Sequence, residues 1–170
     1  MYQINDLIVF GNNGVCKVEN IGVPNISGID KNLQYYTLIP INTKGSVLYT
    51  PVDNLKISMR KIITIEEAEE LLDKILSIPT FTIDNPIFPD ENYKNAISSQ
   101  NCEELIKVIK TVYLKQQDKK SEGKKISQVD ERYMKQAEDL LYSELAIVLD
   151  IPKEEMKSYV ELRVSQLEQK

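Results

Sequence analysis

Val9-Phe10-Gly11-Asn12-Asn13-Gly14-Val15-Cys16-Lys17-Val18-Glu19-Asn20-Ile21-Gly22 decides the front of this chain. Two short apolar runs flank a turn of two glycines and two asparagines. After the turn the residues alternate. Val15, Lys17, Glu19 and Ile21 share one parity, and Cys16, Val18 and Asn20 share the other. Glycine and asparagine tolerate the turn backbone, and period-two alternation marks a strand with one buried face. The stretch predicts a β-hairpin.

The strand grammar continues outward from the hairpin. Leu7–Phe10 is a short apolar strand, and Val15–Val23 is the alternating one. Leu33–Ile41 (LQYYTLIPI) is rich in aromatic and β-branched residues, and Ser46–Val52 (SVLYTPV) is a further run. Leu55–Ile57 is the expected last strand. Turn residues separate these runs at 11–14, 24–31, 42–45 and 53–54. Five short strands at this spacing predict a small, strongly bent barrel of the Tudor/SH3-like type over residues 1–60. Pro51 cannot donate to a ladder, so its strand is an edge there or ends there.

After Arg60 the period becomes helical. Thr64-Ile65-Glu66-Glu67 has the form of a capping box. Ile65, Ala68, Leu71, Leu72, Ile75 and Leu76 then predict an inward face, and Pro79 ends that helix. Phe81–Asn92 reads as a loop with two prolines, and Tyr93–Ser98 as a short helix. The next stripe is Leu105, Val108, Ile109, Val112 and Tyr113. SEGKK at 121–125 breaks it. Ser127-Gln128-Val129-Asp130 starts a helix with Tyr133, Ala137, Leu140, Leu141, Leu145 and Val148 inward. Pro152 opens the last helix, which turns Met156, Val160, Val164 and Leu167 inward. The expected fold class is β + α in two domains, with the barrel followed by an all-α bundle of about five helices over 61–170.

Composition narrows the function. The 170 residues are 42% hydrophobic and 28% charged, which supports packed cores. The chain has no histidine. That removes the usual general base and the common nucleophile pairs. No phosphate-binding loop, dinucleotide fingerprint, nucleophile elbow or EF-hand occurs. Cys16 and Cys102 have no neighbouring thiol in sequence, so they read as buried free thiols and not as zinc ligands. The expectation is a protein that is no enzyme and needs no cofactor. The N-terminus, MYQINDLIVF, lacks the basic start and long apolar stretch of a signal peptide. No apolar run approaches the ~20 residues of a membrane span. A cytoplasmic protein without membrane association is expected.

The net charge of −5 is unevenly spread. Residues 107–125 carry Lys107, Lys110, Lys115, Lys119, Lys120, Lys124 and Lys125 against Asp118 and Glu122, a local excess of five. Residues 64–77 are acidic. The lysine cluster has two readings. It is a solvated face that favours a helix C-terminus, or it is a contact for a phosphate backbone.

Several ordered stretches resemble the CarD/CdnL family of bacterial transcription regulators, whose N-terminal module is shared with the transcription-repair coupling factor. They are Ile8–Val18, Gly28, Tyr35–Leu38, Tyr49–Asn54, Met59-Arg60, Asp130–Arg132 and Ala137–Ala146. The resemblance spans nearly the whole chain. It implies a Tudor-like domain at 1–60 that docks on the RNA polymerase β subunit. It also implies a helical domain at 61–170 that touches promoter DNA near the upstream edge of the transcription bubble. Carried over by position, the polymerase-binding residues are Pro24, Val47, Leu48, Tyr49 and Pro51. Relatives carry arginines where this chain has Pro24 and Tyr49, which exchanges polar anchors for apolar and aromatic ones. The wedge tryptophan of relatives maps near Pro89, beside Phe88, and the arginine after it maps near Glu91.

Phe88 is then either a substitute wedge or a plug on the helical core. Tyr93, Lys94, Arg132 and Lys135 are the expected weak backbone contacts, together with Lys115, Lys119, Lys120, Lys124 and Lys125. Two alternatives stay open. One is a polymerase-docked protein without DNA contact. The other is an SH3-like adaptor with a peptide groove lined by Tyr35, Tyr36 and Tyr49. The strand edge at 46–52 also offers self-association with a second copy.

Overall fold

The computed structural model describes residues 1–82 and 90–170. They form two compact units, Met1–Ile62 and Ile63–Lys170.

The first unit is an antiparallel sheet of five strands: β1 (Leu7–Phe10), β2 (Val15–Gly22), β3 (Tyr35–Pro40), β4 (Leu48–Pro51) and β5 (Met59–Lys61). Their order is β4-β3-β2-β1-β5. No ladder joins β4 to β5 among the described residues, so both are edge strands. The opening hairpin turns through a short 3-10 segment, Gly11–Asn13. Gly11 and Gly14 take positive φ of 49° and 71°, which a residue with a Cβ resists. Phe10 donates its N–H to the Gly14 carbonyl at 3.0 Å and closes the loop.

Ile8, Phe10, Cys16, Val18, Tyr36 and Leu38 form the core of the sheet. A bulge between Val18 and Asn20 shifts the register by one. It reverses the parity of β2, and Ile21 rather than Asn20 then lies opposite Tyr36 and packs on the core. The last strand falls later than expected. Leu55–Ile57 is not a strand, and Leu55 is 98% exposed. The Asn54 side-chain Oδ1 accepts the N–H groups of Lys56 and Ile57 at 2.8 and 3.4 Å. That local turn satisfies donors a strand would have used. Met59–Lys61 pairs with β1 instead.

The second unit contains, among the described residues, five helices: α1 (Ile65–Asp73), α2 (Glu91–Ser99), α3 (Cys102–Ser121), α4 (Gln128–Leu149) and α5 (Lys153–Glu168). The capping box forms. Thr64 Oγ1 accepts the Glu67 N–H at 3.2 Å, and the Glu67 carboxylate accepts the Thr64 N–H at 2.7 Å. Ala68, Leu71, Leu72 and Ile75 are buried, but Ile65 is 58% exposed and Leu76 is also exposed. Ile65 is the first helical residue, and both Ile75 and Leu76 lie past the end of α1 at Asp73, where Ile75 turns inward and Leu76 outward. Tyr113, expected inward on α3, is 51% exposed.

Leu105, Val108, Val112, Ala137, Leu141, Leu145, Met156 and Val160 share one core with the α1 face. A carboxylate sits in that core. Glu144 is buried, and its Oε1 accepts the Ile63 N–H at 2.9 Å. The Cys102 thiol lies 3.5 Å from its Oε2. A buried carboxylate needs such donors, because an unmet one carries a large desolvation cost.

Candidate functional site

On the sheet, alternation sorts the β4 residues. Tyr49 lies opposite Thr37 and is 39% exposed, with Val47 exposed beside it. Leu48, opposite Leu38, packs on the core, and Thr50 is buried opposite Tyr36. Pro51 is half-buried and closes the row Gly22, Tyr35, Pro51 at the end of the sheet. Pro24 follows two residues beyond that row, half-buried, with Val23 and Ile26 exposed around it. Val47, Tyr49, Val23, Ile26 and Ile41 thus give this unit exposed apolar side chains on a sheet with an open edge at β4. Tyr35 and Tyr36 are buried, and the Tyr36 hydroxyl accepts the Tyr2 N–H at 3.0 Å. Of the three tyrosines of the peptide-groove alternative, only Tyr49 reaches the surface, so those rings do not form such a groove.

The helical cations divide into two groups. Tyr93 and Lys115 belong to the interior. Tyr93 is 2% exposed, and its hydroxyl donates to Asp130 Oδ1 at 3.0 Å. The Lys115 ammonium donates to the Tyr93 hydroxyl at 2.9 Å and to Asp130 at 3.0 Å. Asp130 is also fixed by Ser127, whose hydroxyl donates to Oδ2 at 2.8 Å while accepting the Asp130 N–H at the start of α4. Burial pushes the Asp130 carboxyl up, but hydrogen bonds from Lys115 and Ser127 outweigh it and hold the group below its ordinary value. Burial acts to lower Lys115, and its bonds to Tyr93 and Asp130 overcome that and raise it. These side chains tie α2, α3 and α4 together, with Tyr93 buried and Lys115 half-buried.

The other cations lie at the surface. Lys119, Lys120, Lys124, Lys125 and Lys135 are exposed. The turn after α3 gathers four of them: Gly123 takes φ 71°, and the Lys124 N–H bonds back to the Lys119 carbonyl at 2.7 Å. Lys124 also pairs with Glu122 at 3.4 Å. On α2, Lys94 pairs with Asp90 at 3.0 Å. Arg132 is exposed, with its guanidinium 5.1 Å over the Tyr133 ring. Phe88 lies outside the described residues. The residues that sequence reasoning missed are Asp130 and Tyr133. Asp130 carried a signal, a Ser-x-x-Asp start to α4. The position of Tyr133 in the inward stripe of α4 marks it only as core.

No group of three or more metal-ligating side chains comes together among the described residues. None of their helices is long and apolar enough to cross a membrane.

CarD-like domains mark transcription-associated proteins that interact with RNA polymerase, and a five-stranded Tudor-like sheet followed by helices is the fold seen here. Two family models match in order along the chain: the CarD-like/TRCF RID domain over residues 2–63 and the CarD C-terminal domain over residues 91–161. The chain belongs to the CarD-like family. The CarD-like family consists of transcription factors that are not enzymes. No curated protein matches the chain.

Proposed function

We propose that this protein regulates transcription initiation by docking its β unit on the RNA polymerase β subunit and touching promoter DNA with its helical unit, near the upstream edge of the bubble. The observation that carries the polymerase half is the exposed pair Val47 and Tyr49 on the open β4 edge of a sheet matched by the CarD-like/TRCF RID model. An edge strand offers main-chain groups for β-augmentation, and alternate side chains supply the selectivity. An aromatic anchor suits the centre of such an interface. The DNA half is supported by Lys119, Lys120, Lys124 and Lys125 around one turn. Docking on polymerase raises the effective concentration of this turn at the promoter, so weak backbone contacts suffice.

A second reading drops the DNA. It is favoured by the acids Asp90, Glu91 and Glu131 beside Lys94 and Arg132, and by the internal commitment of Tyr93 and Lys115. The helical unit would then meet another protein. One experiment separates the two. Binding of the full-length protein to its host polymerase is measured with and without a promoter fragment, over a range of salt. Tighter, salt-sensitive binding on the promoter, lost when the four lysines become alanine, supports the DNA contact. Binding indifferent to DNA supports the second reading. No polymerase binding at all overturns both.

A further inference from the structure

The connection from β4 to β5 crosses the open side of the sheet. β4 ends at Pro51, opposite Tyr35, which itself lies opposite Gly22 at one end of the sheet. β5 begins at Met59, opposite Phe10, beside the hairpin turn at the other end. Residues 52–58 therefore pass from end to end between the two edge strands. Both ends of this crossover are tied down. The Val52 N–H donates to the Gln34 carbonyl at 2.9 Å, and the Gly11 N–H donates to the Ser58 carbonyl at 3.0 Å. Val52 and Met59 pack on the core. The middle is fixed by Asn54. Its N–H donates to the Pro51 carbonyl at 3.0 Å, its Oδ1 accepts the Lys56 and Ile57 N–H groups, and its Nδ2 donates to the Ile57 carbonyl at 3.1 Å. Leu55 sits inside that stapled turn, and it is the residue left 98% exposed.

We infer that Leu55 is an apolar anchor for RNA polymerase, gripping the strand that adds to the free edge of β4, and that Asn54 is the positioning residue that presents it. This rests on the polymerase-docking reading above. A strand added to β4 lies on the open side of the sheet, and the crossover leaves β4 at Pro51 and spans that same side. The fold gains nothing from a leucine held out in water. A partner that covers it gains nearly the whole apolar surface of the side chain. The staple has already removed backbone freedom that binding would otherwise have to remove.

Exposure alone does not single out Leu55, because isolated surface hydrophobics are common. Val47, Tyr49 and Ile57, the exposed apolar neighbours on β4 and the crossover, keep more than half of their surface covered. Ile57 leans on Gly11, where a Cβ would come within 2.8 Å of its Cγ2. What Leu55 has, and they lack, is full reach from a fixed turn. The chemistry of the partner follows from the flanks. Asp53 and Lys56 carry opposite charges, so the turn has no net charge to offer. It suits an apolar side chain or pocket of a protein and not a phosphate backbone.

The test uses the full-length protein and its host polymerase, without promoter DNA. Affinity and melting temperature are measured at low and high salt for wild type, Leu55→Ala, Asn54→Ala, the double variant and Lys56→Ala. Tyr49→Ala is the reference for the β4 edge. Leu55→Ala is expected to weaken binding about tenfold, equally at both salts, with the melting temperature unchanged. Lys56→Ala should change affinity by about twofold at most, as for an ordinary surface site. Asn54→Ala is expected to weaken binding about threefold, the cost of restoring freedom to the turn. The double variant should be no weaker than Leu55→Ala alone, because Asn54 acts through Leu55.

Leu55→Met keeps the apolar reach and should bind as wild type. Leu55→Cys labelled with a benzophenone should cross-link to the polymerase β subunit. Wild-type affinity for Leu55→Ala beside a weakened Tyr49→Ala overturns the anchor and leaves the edge docking standing. A lowered melting temperature for Leu55→Ala makes it a residue of the fold and overturns the anchor as well. So does a cross-link to a second copy of this chain in place of polymerase. Additive losses in the double variant overturn the role of Asn54. No polymerase binding by wild type removes the docking reading itself, and the anchor with it.

Discussion

β4 and α3 both carry residues expected at a surface, and they treat them differently. Along β4 the backbone alone does the sorting: Tyr49 points out and Thr50 points in, because successive side chains leave a strand on opposite faces. Along α3, Lys115 and Lys120 are chemically alike and only five positions apart, yet they part company. Lys115 is drawn in by Asp130 and Tyr93 from two other helices, while Lys120 stays in solvent. The sheet surface follows from local geometry. The helical surface depends on which charges find partners in the tertiary fold.

The comparison can be broken most sharply through the buried carboxylate. Glu144→Ala leaves the Ile63 N–H without its acceptor and should cost the helical unit about 3 kcal/mol. Urea unfolding followed by NMR should show the helical resonances lost at lower denaturant and those of the β unit unmoved. Simultaneous loss of both would end the treatment of the two as separate units.

Tyr49→Ala comes next. Its expected effect is about 2 kcal/mol, or roughly thirtyfold, on polymerase affinity, with thermal stability unchanged. A large drop in melting temperature would instead make Tyr49 a residue of the fold.

Asp130→Asn tests the internal frame, with an expected loss of about 1 kcal/mol at neutral pH. The sign of its pH dependence follows from the lowered folded-state pKa. The ionised carboxylate stabilises the fold above its unfolded pKa of about 3.9, and that contribution is lost as pH falls through the folded value. The stability gap between wild type and variant should therefore close below about pH 4. A gap that widens in acid would mean the carboxylate is not the stabilising form.

The smallest effect is Lys120→Ala, within about 0.5 kcal/mol on stability, as for an ordinary surface site. It should act only on the salt dependence of the promoter complex. A stability loss like that of Asp130→Asn would place Lys120 in the frame as well.

Much of the fold was legible in particular residues. The glycines at 11 and 14 marked the hairpin, because positive φ is a local demand. Thr64 and Glu67 marked the start of α1, because a capping box spans only four residues. The last strand was misplaced because Asn54 makes a local turn that hydrophobicity does not register. Tyr113 was misplaced because a helical stripe continues in sequence past the point where neighbours stop covering it. The candidate site was less legible. Tyr93 and Lys115 have the residue types of a phosphate contact, and nothing local shows that Asp130 lies between them.

By itself, then, the sequence determined where strands give way to helices and where lysines concentrate. Those depend on backbone geometry and on neighbours a few positions away. Only the tertiary structure decided which cations are held inside and which carboxylate receives Ile63. Those pairings join residues from 15 to 81 positions apart, and their energies exist only once the helices have packed and excluded water from between them.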